Sequence, residues 1–169
     1  MTERILVVCA GNRLVADDGA GPAVFDRLSH SVLPPGVRLE EVGCIGIGLV
    51  DNLRGQQLLV VIDAVAFGSA PGTVHVLEWE ALPRACRAAI SVHGLHLRES
   101  IDVARRLDPA NAPHRVVLVG IEGRCFDQLG TGLSPEVAAA VEEAVQTALA
   151  LVAGTSGPMD ILKEALYGT

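Results

Sequence analysis

The sequence predicts an α/β fold: a single-domain, three-layer α/β/α sandwich around a mostly parallel five-stranded sheet. Three observations predict it. Continuous apolar runs at Ile5–Val8, Leu58–Ile62 and Val116–Val119 are of the kind buried on both faces of a parallel sheet. Segments of helical periodicity alternate with these runs, and glycine-rich turns follow the ends of several strands.

In chain order, Arg4–Ala10 is the first strand, and the loop Gly11–Gly21 follows it. The spacing predicts a helix from about Gly19 to Ser29, with Pro22 in its first turn, where a missing N–H costs least. Leu33-Pro34-Pro35-Gly36 breaks the chain, and Val37–Val42 is a more charged, alternating strand that belongs nearer an edge. A second glycine-rich turn, Gly43–Gly48, precedes a short helix at Leu49–Leu53. Gln57–Ala64 is the third strand, with Asp63 closing its apolar run. After the turn Ser69–Gly72, Thr73–Trp79 forms a fourth strand, the candidate antiparallel edge, with His75 expected on its solvent face. A loop over Glu80–Ala89 leads to a helix from near His93 to Leu107, with Leu97, Ile101, Ala104 and Leu107 inward. Arg115–Glu122 is the fifth strand and Gly123–Gly132 a loop. Ser134-Pro135 then starts an Ala-rich helix over Glu136–Val152. The domain is read as residues 1–153, followed by a joint and a short amphipathic tail over 154–169. Ile161, Leu162, Ala165 and Leu166 recur there at helical spacing, and the tail is expected to dock near a substrate groove.

Composition narrows the function classes. With 169 residues and 50% hydrophobic content the chain can bury a substantial core, and 3% aromatics means that core must be aliphatic. A net charge of −7 argues against nucleic-acid or anionic-membrane partners, and no apolar run suggests a membrane span. The first strand follows closely on Thr2-Glu3, leaving no room for a signal peptide, so a cytoplasmic location is expected. Cys9, Cys44, Cys86 and Cys125 form no C-x-x-C pair and are expected as reduced thiols, with Cys44, in its glycine-rich loop, the one of functional interest. His30 and His114 are expected at the surface.

Two familiar chemistries fail on the residues. The first turn lacks G-x-G-x-x-G, and Asp17-Asp18 at a helix start would repel a phosphate. Neither a P-loop nor a G-x-S-x-G elbow is present, and no cysteine has an identifiable histidine partner. What stands at the strand ends is Asp17 with Asp18, Asp63, and His93 with His96. Carboxylates and an imidazole from separate loops make an O/O/N set suited to nickel, zinc or another first-row divalent ion, with positions left for substrate. A single Asp could instead cap the helix. His96, three residues from His93, is the second-choice imidazole.

These residues resemble the hydrogenase maturation endopeptidases. Their opening motif, G-N-x-L-x-x-D-D/E-G-x-G, is met by Gly11, Asn12, Leu14, Asp17, Asp18, Gly19 and Gly21. Asp63-Ala64 matches the Asp-Ala after the third strand, Ser91-Val92-His93 the Ser-x-His motif, and Gly132–Val137 the late Gly-Leu-Ser/Thr-Pro-x-Val. The resemblance spans about residues 4–152. It implies a cytoplasmic peptidase that removes a C-terminal extension from the large-subunit precursor of NiFe hydrogenase after nickel has entered. Asp18, Asp63 and His93 would take the family's metal-binding positions, with nickel supplied by the precursor and zinc or another divalent ion possible in its place. Many relatives carry Glu where this chain has Asp18, so the ion or the loop would lie about one methylene closer. Relatives also show Asp-x-Gly-Thr where this chain has Glu41-Val42-Gly43-Cys44, a loop that resembles part of the substrate-reading surface. Asp17 and Asp18 are the candidate catalytic carboxylates, and Asn12, Gly43, Cys44 and His96 the candidate substrate contacts. The ion could polarise the scissile carbonyl or activate water; alternatively, the three side chains recognise the precursor's nickel and a carboxylate acts as base. Other functions open at this point are a different metal-dependent hydrolase and a non-catalytic nickel chaperone or sensor.

Overall fold

A computed structural model describes residues 4–43, 47–81 and 92–154; the side chains at 47, 48, 50, 81 and 92–98 fall outside what it describes. Cys44, Cys86, Ser91 and the 155–169 tail therefore lie outside the described residues. Five strands, β1 (Ile5–Ala10), β2 (Val37–Val42), β3 (Leu58–Val65), β4 (Val74–Glu78) and β5 (Arg115–Glu122), form one sheet in the order β2-β1-β3-β5-β4. All pairings are parallel except β4 against β5. The helices are α1 (Ala20–Ser29), α2 (Val92–Leu107) and α3 (Pro135–Gly154), with 3-10 turns at Ala16–Gly19, Ile47–Asn52 and Trp79–Ala81.

Period-two alternation sorts each buried strand between the two outer layers. Ile5, Val7 and Cys9 pack with Val24 and Leu28 of α1 and Val141, Val145 and Val152 of α3. Leu6, Val8 and Ala10 pack on the other side with Leu49, Leu53 and, from α2, Ile101 and Ala104. The largest fully buried side chains, Leu6, Leu28, Leu53, Leu58, Leu59, Ile62, Ile101, Leu118 and Ile121, are all aliphatic, as the scarcity of aromatics requires.

Several boundaries moved. A 3-10 turn over Ala16–Gly19 precedes α1, and the short helix expected at Leu49–Leu53 is the 3-10 turn Ile47–Asn52. The β3 strand runs on to Val65, because Val65 pairs with Glu122 of β5, so Asp63 sits inside the ladder instead of ending it. The expected absence of a membrane-length segment needs correcting too. By length and composition α3 is apolar enough to cross a membrane; in the fold its apolar stripe, Val137, Ala140, Val141, Ala144, Val145, Ala148, Leu151 and Val152, lies in the core. Exposed Glu142 and Glu143 stand on its outer side.

Topology fixes which helix ends reach the functional edge. The chain leaves β1 toward β2 on one side and later enters β3 on the other, so the sheet's switch point lies between the carboxyl ends of β1 and β3. The loop after α2 is tied to the opposite edge, where Gly55 N–H donates to Asn111 and His114 N–H to Gln56, just before β3. With its C-terminus there, the 16-residue α2, about 24 Å long, has its first turn at the carboxyl edge.

Candidate active site

The Gly11–Gly21 loop is wound so tightly that Gly11 and Gly21 are compulsory. Gly11 has φ +137°, and a Cβ on it would lie 2.0 Å from the Asp18 carbonyl oxygen; one on Gly21 would lie 2.0 Å from that of Ala10. The first turn of α1 thus sits directly on the end of β1. Within the loop Ala16 adopts φ 26°, a backbone conformation that a non-glycine residue holds only under constraint.

Asp17 supplies that constraint. It is 0% exposed. Its Oδ2 accepts the N–H groups of Arg124 and Cys125, each at 3.0 Å, and its Oδ1 accepts the Ser134 N–H at 2.7 Å. Asp17 N–H donates in turn to the Cys125 carbonyl. Burial pushes this carboxyl up, but the hydrogen bonds from Arg124, Ser134 and Cys125 outweigh it and hold it below the usual carboxylate value.

Asp18, 6% exposed, accepts the Asn12 N–H at 3.0 Å through Oδ2, while Asn12 Oδ1 accepts the Leu14 N–H. Arg13 spreads its guanidinium between both oxygens of Asp26 on α1 and both of Glu41 on β2, at 2.6–2.8 Å, tying the loop to two elements. Asp63 is 1% exposed, and its Oδ1 accepts the Ala64 N–H at 2.8 Å. By alternation with Leu59, Val61 and Val65 it stands on the α2 side of the sheet. The 3-10 turn carrying Asp17 and Asp18 packs on β3.

His93 and His96 occupy the first two turns of α2, as the spacing predicts, and the backbone brings them to the carboxyl edge. Their side chains lie outside the described residues. Among those that are described, no three His, Cys, Asp or Glu residues gather as a ligand set. Gly43 forms an exposed bend after β2, with nothing within 4 Å of a Cβ placed on it, so packing does not demand a glycine there. Cys9 and Cys125 are free thiols, and burial, with Glu41 and Asp26 adding to it, pushes Cys9 well above the thiol range.

Three features were not read from the sequence. His75, expected to face solvent, has a side chain only 18% exposed, because Nε2 meets the buried Glu122 at 3.1 Å and its ring packs edge-on against Phe67. Glu122 closes an apolar run and gives no motif signal. Beside Ala16 lies a groove of about 540 Å³ lined by residues of the 124–135 loop, including Arg124, Cys125, Asp127 and Leu133. Next to its lining in the chain, a bridge pairs Val15 with Leu129, and Leu14 and Leu129 are 69% and 74% exposed.

The hydrogenase maturation protease family model matches residues 22–151. The chain belongs to that family. Among curated relatives, the hydrogenase expression/formation protein HupD of Thiocapsa roseopersicina is 34% identical over 151 residues, 88% of this chain and 67% of the relative. The hydrogenase 2 maturation protease of Escherichia coli is 31% identical over 166 residues, 97% of this chain and 99% of the relative. The solved structure of the hydrogenase-maturating endopeptidase HybD of E. coli superposes with a TM-score of 0.80 at 29% identity, covering 90% of this chain and 93% of that one. A NiFe hydrogenase maturation protease from Thermococcus kodakarensis gives 0.75 at 29% identity, covering 88% and 99%. This maturation protease is thus a peptidase of the α/β/α fold the sequence predicts, and the match to the E. coli hydrogenase 2 maturation protease, over 97% of the chain, takes in the loop that precedes the family match.

Proposed function

We propose that this hydrogenase maturation protease, acting in the cytoplasm, removes the C-terminal extension of a nickel-loaded NiFe hydrogenase large-subunit precursor, and that Asp18, Asp63 and His93 recognise the precursor's nickel. The observation that carries this reading is the placement of two buried carboxylates, each oriented by a neighbouring N–H, at the end of β1 and within the last turn of the β3 ladder. The first turn of α2, with His93, reaches the same edge of the sheet. Two hard oxygens and a borderline imidazole suit a first-row divalent ion such as nickel, or zinc in its place. In the precursor that ion would present the cleavage point to the site.

Of the two candidate catalytic carboxylates, Asp17 is assigned a positioning role, because three backbone N–H groups occupy its two oxygens and favour its ionised form over proton transfer. Asp18 is left as the carboxylate nearest the chemistry. The groove beside Ala16 has room for an extended peptide, and the exposed Leu14 and Leu129, neighbours in sequence of its lining residues, offer apolar contacts to one. Asn12 serves by orienting Asp18, and Gly43, Cys44 and His96 remain the proposed contacts toward the body of the precursor. Titrating nickel into the protein and into Asp18→Asn, Asp63→Asn and His93→Ala tests the ligand set. Loss of binding in all three supports it, and undiminished binding in any one removes that residue from it.

A further inference from the structure

Glu122 is a buried carboxylate that the reading above does not use. It ends β5 at 2% exposure, on the α2 side of the sheet, in register with Val65 and two residues beyond the partner of Asp63. Its Oε1 accepts the Gly68 N–H at 2.8 Å, and its Oε2 accepts the Phe67 N–H and meets His75 Nε2, both at 3.1 Å. Facing a carboxylate oxygen, that ring nitrogen must carry the proton. The segment held in this way follows Asp63 in the chain, and apart from this clamp it is fixed by the Phe67 side chain, which packs on the α2-side core and against His75. Ala66, Gly68 and Ser69 are exposed, Gly68 has φ +89°, and a Cβ on it would meet nothing within 4 Å. Meanwhile the Glu122 backbone is itself held on both sides, its N–H donating to Thr73 and its carbonyl accepting from Gly72, while Gly123 N–H donates to Val65.

We propose that Glu122 is a positioning residue for Asp63: by clamping the Phe67–Gly68 turn, with His75 as its third donor, it fixes the end of β3 and so the direction of the Asp63 carboxylate. This rests on the reading of Asp63 as a nickel-recognising ligand. A carboxylate is required because every partner is a donor. Glutamine has the same length but would turn an N–H₂ toward an N–H, leaving one side of the clamp open.

The test is Glu122→Gln in the full chain, read in two ways. Amide hydrogen exchange on the metal-free protein should speed up at Phe67 and Gly68 and also at Ala64, whose N–H donates to Asp63. Free-nickel affinity per folded molecule should fall about tenfold, the scale seen when support behind a metal ligand is removed, with affinity for nickel-free precursor unchanged. Faster exchange confined to Phe67 and Gly68, or equal losses of both affinities, would overturn the proposal, since the clamp would then be local or generally structural. Should the parent protein itself bind no nickel, the recognition reading fails, and Ala64 exchange still decides whether Glu122 fixes Asp63. If Glu122→Gln does not fold, His75→Phe, which retains a ring against Phe67 but removes Nε2, should shift both readouts in the same direction by less; no shift would overturn the proposal.

Discussion

Replacing Asp17 by Asn probes the joint between the first loop and the groove with almost no change of shape. In the parent, one oxygen serves two backbone N–H groups and the other serves a third, all in a fully buried setting. The amide can keep its oxygen on the Arg124 and Cys125 pair, but its N–H₂ then faces the Ser134 N–H. One buried donor left unmatched costs about 1–3 kcal/mol. Asp17→Ala orphans all three donors; a simple sum is about 3–9 kcal/mol, and relaxation of the loop brings the expected loss to about 3–5 kcal/mol. With a urea slope of about 2 kcal/mol/M, the Asn variant should unfold roughly 0.5–1.5 M earlier. The acid limb supplies an internal control. Because the folded carboxyl lies below its ordinary value of 3.8, its stabilisation is fully present above that pH and is lost as pH falls through the lowered folded value. The gap between parent and Asn variant should therefore narrow in strong acid. An Asn variant with the parent's midpoint and the parent's acid limb would refute the assignment of Asp17 as the buried tie.

Other perturbations separate the remaining roles. Asp18→Asn and His93→Ala should abolish precursor processing, whereas His96→Ala should only weaken it; rates followed by gel shift of the precursor will show the order. Gly21→Ala forces a Cβ to 2.0 Å from the Ala10 carbonyl oxygen and should cost about 2–3 kcal/mol or more in urea unfolding. Leu129→Ser removes an exposed apolar side chain that neighbours the groove lining in sequence and should raise KM for the precursor with kcat unchanged; an unaltered KM would remove Leu129 from the peptide path.

The fold was legible because its buried strands announce themselves. Ile5–Val8, Leu58–Ile62 and Val116–Val119 are apolar without alternation, and the charged Val37–Val42 was placed near an edge, where it lies. The Asp17–Asp18 loop was legible as a tight turn set on the end of β1, since its backbone needs Gly11 and Gly21, but the division of labour inside it was not. Which Asp receives backbone N–H groups depends on a loop more than a hundred residues away, and no local pattern encodes that. Glu122 and His75 escaped for the same reason: in sequence one is the polar end of a strand and the other an alternating residue, and only the β4–β5 pairing and the turn after β3 bring them together.

The account is tested most directly by weighing the precursor. Incubated with this protein, nickel-loaded large-subunit precursor should lose the mass of its C-terminal extension, while nickel-free precursor and the Asp63→Asn variant should give no loss. An intact mass for fully loaded precursor, or equal cleavage with and without nickel, would contradict nickel-recognised processing at this site.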